Sequence, residues 1–269
     1  LALLTEGGGS IQTRDNVPGL IALTSERAFA VLKDAKGNAI AAAGETLDGK
    51  GGRVIVFSHD GFLKNQSLLE QSALVALLTN SVKWCGRSSK PEVTLHPALS
   101  GLAERLESVG IKTKMALPGD VKSSRPPSVY VTVAQKGFDD ADVDHLLPLA
   151  AKGMGLVLAA TPWPFADAYP NFADFPANRL AAPVGISLHS GGTADRTEEI
   201  AVTFTSSQIA LDALAALSPG GAKLTPSERE SRIKDLKGGT SLRGTALDSF
   251  LTGLRSEEHT SELQSLAYL

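Results

Sequence analysis

The sequence predicts an α/β domain with a mostly parallel sheet and helices on its faces, and two observations carry this prediction. Residues 53–57, 129–133 and 156–160 are short runs rich in valine, isoleucine and leucine, as is typical of buried strands. Segments with apolar residues at helical spacing alternate with these runs. Such alternation favours parallel strands with helices packed on the sheet.

The N-terminal part predicts a linker followed by a β-hairpin. Residues 1–16 carry the run Gly-Gly-Gly-Ser and polar neighbours, which is typical of a loop or linker. Apolar runs on both sides of a turn cluster at residues 33–38 predict a hairpin within residues 20–43.

The middle of the chain predicts helices and strands in alternation. Apolar periodicity predicts one long helix over residues 67–84. Asp139 and Asp140 stand where N-cap residues belong, before a helix that runs to Lys152. The other expected elements are a strand at 92–95, a helix at 98–109, a strand at 112–116 and a polar loop at 118–127.

Beyond Thr161 the pattern is less regular, because two prolines interrupt residues 161–165. The α/β domain is expected to span residues 17–217, and residues 218–254 to form a helical appendage or the start of a next domain. The later elements that we expect are a strand at 185–188, a turn at 190–195, a strand at 201–204, and helices at 207–217 and 225–236.

The C-terminal tail differs from the rest of the chain. Residues 255–265 read Arg-Ser-Glu-Glu-His-Thr-Ser-Glu-Leu-Gln-Ser, which resembles the in-frame translation of a common sequencing adapter. We therefore expect residues 255–269 to be non-native and give them no weight in the prediction of fold or function.

Composition excludes several classes of protein. Lysine and arginine number 26 against 29 aspartate and glutamate, so the net charge of −3 provides no basic field for nucleic acid. No apolar run reaches the ~18 residues that suggest a membrane-spanning helix. The single cysteine, Cys85, excludes an internal disulfide and a Cys-rich metal site, and we expect no cofactor.

Candidate chemistry begins at the end of the first predicted parallel strand. His59 and Asp60 follow that strand directly, and ligands of open α/β sheets bind at the carboxyl ends of strands. The alternative is that His59 only caps the strand or holds the next helix, and we favour it for a lone histidine. Cys85 ends a helix rather than following a strand, which favours a structural thiol over a nucleophile.

No complete motif for a hydrolase is present in the sequence. The H-E-x-x-H spacing of zinc peptidases is absent, and Gly185-Ile-Ser-Leu-His189 lacks the final glycine of the serine-hydrolase turn. We therefore assign no metal ligand and no catalytic residue.

Several short stretches together resemble one family. They resemble the class I glutamine amidotransferase-like domain of TRP-channel-associated factors and of bacterial proteins in the enhancin-like (mucin-directed zinc peptidase) superfamily. The stretches are Pro18-Gly-Leu-Ile, Gly52-Arg-Val-Ile-Val-Phe-Ser-His-Asp-Gly-Phe62, Asn80-Ser-Val-Lys-Trp84, Gly155-Leu-Val-Leu-Ala-Ala-Thr-Pro-Trp163 and Asp174-Phe-Pro-Ala-Asn-Arg-Leu180.

The resemblance implies a flavodoxin-like, three-layer sandwich and permits a test of catalysis. Class I amidotransferases carry a nucleophilic cysteine on the sharp turn after a strand, and Thr161 falls at that position here. A threonine hydroxyl is a much weaker nucleophile than a thiolate, so glutamine hydrolysis is not expected. The expected remnant is a crevice that can bind a ligand, with His59, Asp60, Gly61, Thr161, Pro162, Trp163 and Asn178 as candidate lining residues.

The resemblance also implies a biological context. We expect a non-catalytic binding or scaffold domain, whose partner is a glycan, a peptide or a protein. We expect it to be a metagenomic fragment from the N-terminal part of a larger bacterial protein, secreted or associated with the cell envelope. The alternative is a hydrolase whose site is formed by His59 and Asp60, with or without a metal ion.

Overall fold

The computed structural model describes residues in the first of the two units of this chain. The chain divides into two units, Leu1–Phe204 and Thr205–Leu269, and all described residues lie in the first. The helices expected at 207–217 and 225–236, the appendage at 218–254 and the tail at 255–269 therefore lie outside the described residues. The described residues are Leu4, 10–14, 16–25, 27–34, 36–46, 48–135, 137–169, 171–192 and 199–201.

Four strands form the N-terminal part of the described chain. They are β1 (Ser10–Gln12), β2 (Gly19–Leu23), β3 (Ala28–Lys33) and β4 (Ala39–Gly44). Strands β3 and β4 form the predicted hairpin. The carboxylate of Asp34 closes the turn between them by accepting hydrogen bonds from the main-chain N–H of Asn38 at 2.7 Å and from its side-chain amide at 2.8 Å. Strand β1 lies within the segment for which the sequence predicts a loop or linker, and its Ile11 is fully buried.

Five adjacent parallel strands form the centre of the sheet, as predicted. They are β5 (Val54–Phe57), β6 (Val93–Leu95), β7 (Thr113–Met115), β8 (Val129–Val133) and β9 (Gly155–Ala159), in the spatial order β5-β9-β8-β6-β7. If β6, β7, β8 and β9 are numbered 1 to 4 and β5 is numbered 5, the order across the sheet from β7 to β5 is 2-1-3-4-5, as in flavodoxin. Strand β5 takes the last place in the sheet although it comes first in the chain.

Antiparallel strands extend this sheet beyond β5. The order continues through β4 and β2 to β10 (Ile186–Gly192), and β3 pairs with β4. Strand β11 (Glu199–Ala201) pairs with β1. The prediction of a turn at residues 190–195 is wrong for residues 190–192, because β10 stays paired with β2 as far as Gly192, which lies opposite Gly19.

Six α-helices occur in the described part of the chain. They are α1 (Gly61–Lys64), α2 (Gln66–Leu69), α3 (Ser72–Cys85), α4 (Ser100–Ser108), α5 (Asp140–Ala151) and α6 (Pro176–Ala181). The single helix expected over 67–84 is divided at Gln71, whose backbone is extended. The side chain of Gln71 instead exchanges hydrogen bonds of 2.8 and 2.9 Å with the main chain of Gln12, which holds β1 against the domain.

The sheet separates two hydrophobic cores, which confirms the three-layer sandwich. Alternate residues of each central strand face opposite layers: Ile55 and Phe57 of β5 pack with α3 and α4, whereas Val54 and Val56 pack with α5 and α6. The carboxyl ends of the parallel strands therefore share one edge between the two helical layers, and the candidate site lies at that edge.

Candidate functional site

Three neighbouring parallel strands bring the central side chains of the site together. Strand β9 lies between β5 and β8, so the residues that follow these strands meet at the same edge of the sheet. Asp60 follows β5, Gln135 follows β8 and Thr161 follows β9. We call these three residues the crevice cluster.

The crevice cluster is a closed ring of hydrogen bonds. The hydroxyl of Thr161 donates to Asp60 Oδ1 at 2.9 Å and accepts from the main-chain N–H of Asp60 at 3.1 Å. The side-chain amide of Gln135 donates to Asp60 Oδ2 at 3.1 Å, and its carbonyl accepts from the main-chain N–H of Thr161 at 3.0 Å. Each residue is therefore hydrogen-bonded to the other two, although the residues come from distant parts of the sequence.

The carboxylate of Asp60 is held in its charged form. Burial raises its pKa, but the hydrogen bond from Thr161, the positive charge that His59 gains only when it is protonated at acidic pH, and the charge of Lys64 together outweigh burial, so the net pKa lies below its usual value. Lys64, one helical turn further on, places its Nζ 3.4 Å from Asp60 Oδ2.

His59 lies beside the cluster as a neutral ring. Burial lowers its pKa, and the charge of Asp60 offsets only part of that effect. Its Nδ1 accepts the main-chain N–H of Gly61 at 2.9 Å, which places the proton of the neutral ring on Nε2. The 3.3 Å approach of Nδ1 to Asp60 Oδ1 is therefore a contact between two acceptors and not an ion pair.

Gly61, Pro162 and Trp163 pack against the segment that precedes β2. A Cβ on Gly61 would overlap the side chain of Asn16, so a larger residue there would displace Asn16 from its hydrogen bonds to the main chain. The ring of Pro162 occupies the space above Gly19. The indole N–H of Trp163 donates to the main-chain oxygen of Val17 at 3.0 Å, while 43% of Trp163 remains exposed.

Asn178 is not joined to the crevice cluster by any described hydrogen bond. It is 3% exposed, and its amide N–H groups donate to the main-chain oxygens of Phe172 and Leu188. Its side-chain oxygen accepts from the N–H of Leu188 at 2.7 Å. Asn178 therefore holds α6 to β10, and the structure gives it no contact with a ligand site.

The turn after β9 is not a strained nucleophile turn. Arg14 and Arg87 are the described non-glycine residues with positive φ, so Thr161 lacks the positive φ that would mark a strained turn. The cysteine lies elsewhere: Cys85 is buried at 1% exposure, and its Sγ is 3.4 Å from the oxygen of Leu156, near the opposite end of β9. Burial raises the pKa of this thiol far above its usual value.

The described residues contain no group of three or more His, Cys, Asp or Glu side chains that could hold a metal ion. Within the same residues, no helix combines the length and apolar character needed to cross a membrane.

Sequence reasoning missed Gln135 and Lys64. Gln135 belongs to no motif, but it follows a predicted strand by two residues, and the rule that pointed to Asp60 at the carboxyl end of a strand applies equally to it. Lys64 can be predicted only if residues 61–64 are recognised as a helix with Asp60 as its N-cap, because a helical turn then brings Lys64 next to Asp60.

These features define a flavodoxin-like α/β domain with a polar cluster at the carboxyl edge of its sheet and a threonine at the turn after β9. Residues 2–201 match the sequence profile of the TCAF_N family, described as "TRPM8, N-terminal domain", and the chain belongs to this family.

Curated relatives agree with this assignment. TRPM8 channel-associated factor 2 of Bos taurus is 29% identical over 173 residues, which cover 63% of this chain and 17% of that protein. The Homo sapiens protein of the same name is 28% identical over 177 residues, which cover 64% of this chain and 17% of that protein. The chain therefore matches 17% of the length of these relatives.

Solved structures share the fold. The structure of IMPa from Pseudomonas aeruginosa in complex with an O-glycopeptide has a TM-score of 0.56 at 14% identity, covering 91% of this chain and 32% of that one. The IMPa metallopeptidase in complex with T-antigen has a TM-score of 0.54 at 15% identity, covering 88% and 30%. The resemblance to TRP-channel-associated factors that the sequence indicates is therefore confirmed, and the solved metallopeptidase shares the fold.

Proposed function

We propose that this domain is a non-catalytic binding domain whose ligand binds at the carboxyl edge of the sheet, around Asp60, Thr161 and Trp163. One observation carries the proposal: the hydroxyl of Thr161, at the position of a nucleophile, uses both its donor and its acceptor capacity within the crevice cluster. A hydroxyl held in this way on an unstrained turn is a fixed part of the wall rather than a group ready to attack.

A glycan is the ligand class that these side chains suit best. Trp163 offers a half-exposed apolar ring, and polar groups of neutral His59, Asp60 and Gln135 lie at the same edge of the sheet. Binding sites of this kind combine an aromatic surface with a few fixed polar groups. The peptidase with the same fold has been solved with an O-glycopeptide, which supports a glycosylated ligand over a bare peptide or a protein partner.

The wider context is also proposed. We propose that this domain is the N-terminal part of a larger bacterial protein, secreted or associated with the cell envelope. The family is described as an N-terminal domain, the matched part is 30–32% of the length of the structurally similar peptidases, and one of these comes from Pseudomonas aeruginosa. Recovery of the complete gene tests this context: a leader for secretion supports it, and a complete reading frame that lacks one contradicts it.

The binding proposal is tested by tryptophan fluorescence, because the chain has two tryptophans in opposite environments. Trp163 is 43% exposed, whereas Trp84 is 6% exposed and stacks under the guanidinium of Arg53. In the Trp84→Phe variant, titration with a T-antigen O-glycopeptide is expected to change the emission of Trp163. In Trp163→Phe, which keeps only Trp84, the same titration is expected to leave the emission unchanged.

Affinity provides the decisive readout. Trp163→Ala is expected to weaken binding about tenfold, equivalent to about 1.4 kcal/mol, as for an exposed aromatic anchor. The same peptide without its glycan serves as the control ligand. Equal binding of both peptides would contradict a glycan ligand, and no binding of either would contradict the proposed function.

A hydrolase is the second candidate, because one geometric feature favours it. The hydroxyl of Thr161 lies 2.9 Å from a charged carboxylate, which is the arrangement of a nucleophile and its base. Glutamine and ester substrates should therefore be assayed with the wild type, Thr161→Ser and Thr161→Ala. Turnover that survives in Thr161→Ser and disappears in Thr161→Ala would replace the binding proposal with this one.

A further inference from the structure

A second, chemically different groove lies at the far edge of the sheet, on β6 and β7. Its volume is about 550 Å³, which is within the range of ligand-binding clefts. Residues of both strands and of the loop between β7 and β8 line it, and none of the crevice cluster does. The groove is therefore independent of the proposed glycan site.

The groove exists because a helical layer is missing over this part of the sheet. The core beneath α5 and α6 includes residues of β8 and β9 but none of β6 or β7. On that face the two edge strands are bordered by the loop, whose Val121 is buried and whose position is held by a 2.8 Å contact between the Val121 oxygen and His145 Nε2. The shape of the groove is therefore fixed by packing.

The charged side chains that line the groove are mostly cationic. Its cations are Lys112, Lys114, Lys122 and Arg125, against the carboxylates of Glu92 and Asp120. Arg125 lies 3.6 Å from Glu92, whereas the three lysines form no ion pair with any described residue. All three lysines are exposed, so the groove presents uncompensated positive charge in a chain whose net charge is −3.

Strand β7 also offers a free edge for main-chain pairing. It is the last strand in the sheet order, and no described strand pairs with its outer side. The N–H of Ala116 donates inward to the oxygen of Leu95 at 3.1 Å. Because N–H groups alternate along a strand, those of Thr113 and Met115 point outward, towards the free edge.

The two faces beside this edge differ in chemistry. Thr113 faces α4, since its hydroxyl bonds to Glu107, and alternation puts Met115 on the same face, where it is 41% exposed. Lys112 and Lys114 alternate with these residues and line the groove on the other face. A strand added to β7 would therefore meet lysines on one face and an apolar side chain on the other.

We propose that this edge binds an extended acidic segment of a partner protein, which pairs with β7 as an additional strand. The segment would alternate acidic residues, which face Lys112, Lys114 and Lys122, with apolar residues, which face Met115. Main-chain hydrogen bonds would provide affinity and the alternating side chains specificity, as in other cases of strand addition. Charge complementarity selects this occupant.

The test uses a fluorescein-labelled peptide of alternating glutamate and valine, titrated with the full chain while fluorescence anisotropy is recorded. The double variant Lys114→Glu/Lys122→Glu is expected to weaken binding at least tenfold. The matched control is Lys50→Glu/Lys152→Glu, which makes the same total charge change at two exposed lysines outside the groove and is expected to change affinity less than twofold. Equal affinity of the wild type and the double variant would overturn the proposal, as would a peptide that does not bind the wild type.

Two further measurements separate strand addition from simple charge attraction. A peptide of the same sequence, N-methylated at alternate residues, keeps its charges but cannot pair along one edge, and it is expected to bind at least tenfold more weakly. Bound peptide is expected to slow hydrogen exchange at the amides of Thr113 and Met115 in the wild type. Unchanged exchange, or tighter binding of a sulfated oligosaccharide or an RNA than of the peptide, would overturn the proposed partner.

Discussion

Replacement of Thr161 by valine tests whether the crevice cluster is held together as the structure indicates. Valine keeps the shape of threonine but removes a donor to the Asp60 carboxylate at 2.9 Å and an acceptor for the Asp60 N–H at 3.1 Å. A hydrogen bond to a charged group contributes about 1.5–3 kcal/mol and a neutral one about 1 kcal/mol. Thr161 is 6% exposed, so water cannot easily replace either bond, and we expect Thr161→Val to lower the free energy of unfolding by about 3 kcal/mol.

Thr132→Val is the matched control for this substitution. Thr132, in the neighbouring strand β8, is fully buried, and its hydroxyl has no hydrogen-bond partner among the described residues. The same chemical change should therefore leave stability unchanged or raise it by about 1 kcal/mol, because it removes an unsatisfied buried polar group. Urea denaturation of both variants at neutral pH gives the comparison.

The pH dependence provides a second check on Thr161→Val. The folded-state pKa of Asp60 lies below its unfolded value of about 3.8, so its ionisation stabilises the fold above that pH, and this contribution is lost as the pH falls through the folded pKa. The cost of Thr161→Val should therefore be largest at neutral pH and smaller at about pH 3. A variant as stable as the wild type at neutral pH, or an equal loss in Thr132→Val, would refute the reasoning.

Three other predictions follow from the packing. Gly61→Ala should destabilise the fold by about 1–3 kcal/mol because its Cβ would overlap Asn16. Gly119→Ala should have no such effect because the space around Gly119 is open. Thermal denaturation compares the two variants, and equal melting temperatures would contradict the packing around Gly61. Asn178→Ala should cost about 3 kcal/mol in urea denaturation, since it removes three hydrogen bonds to main-chain groups, and a loss below 1 kcal/mol would contradict that role. The Cys85 thiol should react with a disulfide reagent only in denaturant, because burial raises its pKa; rapid reaction of the folded chain would contradict its placement.

The sequence predicted the central strands well because their signal is local. Runs such as Val54–Phe57 combine β-branched residues with complete burial, and few other structures accommodate them. The rule that ligands bind at the carboxyl ends of parallel strands then predicted a site at His59 and Asp60, and the family resemblance added Thr161. The parts of the site that depend on strand order alone could therefore be predicted from the sequence.

The remaining features depend on contacts between distant residues, which periodicity does not contain. Helical spacing continues across Gln71, but its side chain gains two hydrogen bonds to Gln12 when the helix breaks there. The amide of Asn178, proposed for the crevice from its motif, is instead used by the main chain of β10. Gln135 carried no motif, although it completes the crevice cluster.

Whether the crevice binds a ligand without reacting with it is tested most directly by an NMR titration of the isotope-labelled chain with a T-antigen O-glycopeptide. We expect saturable shifts in the amide signals of Asp60, Gln135 and Thr161 and in the indole signal of Trp163, while the peptide spectrum shows no new product. Shifts confined to other residues would contradict binding at the crevice. Product that accumulates in the wild type and not in Thr161→Ala would show that the hydroxyl is a working nucleophile.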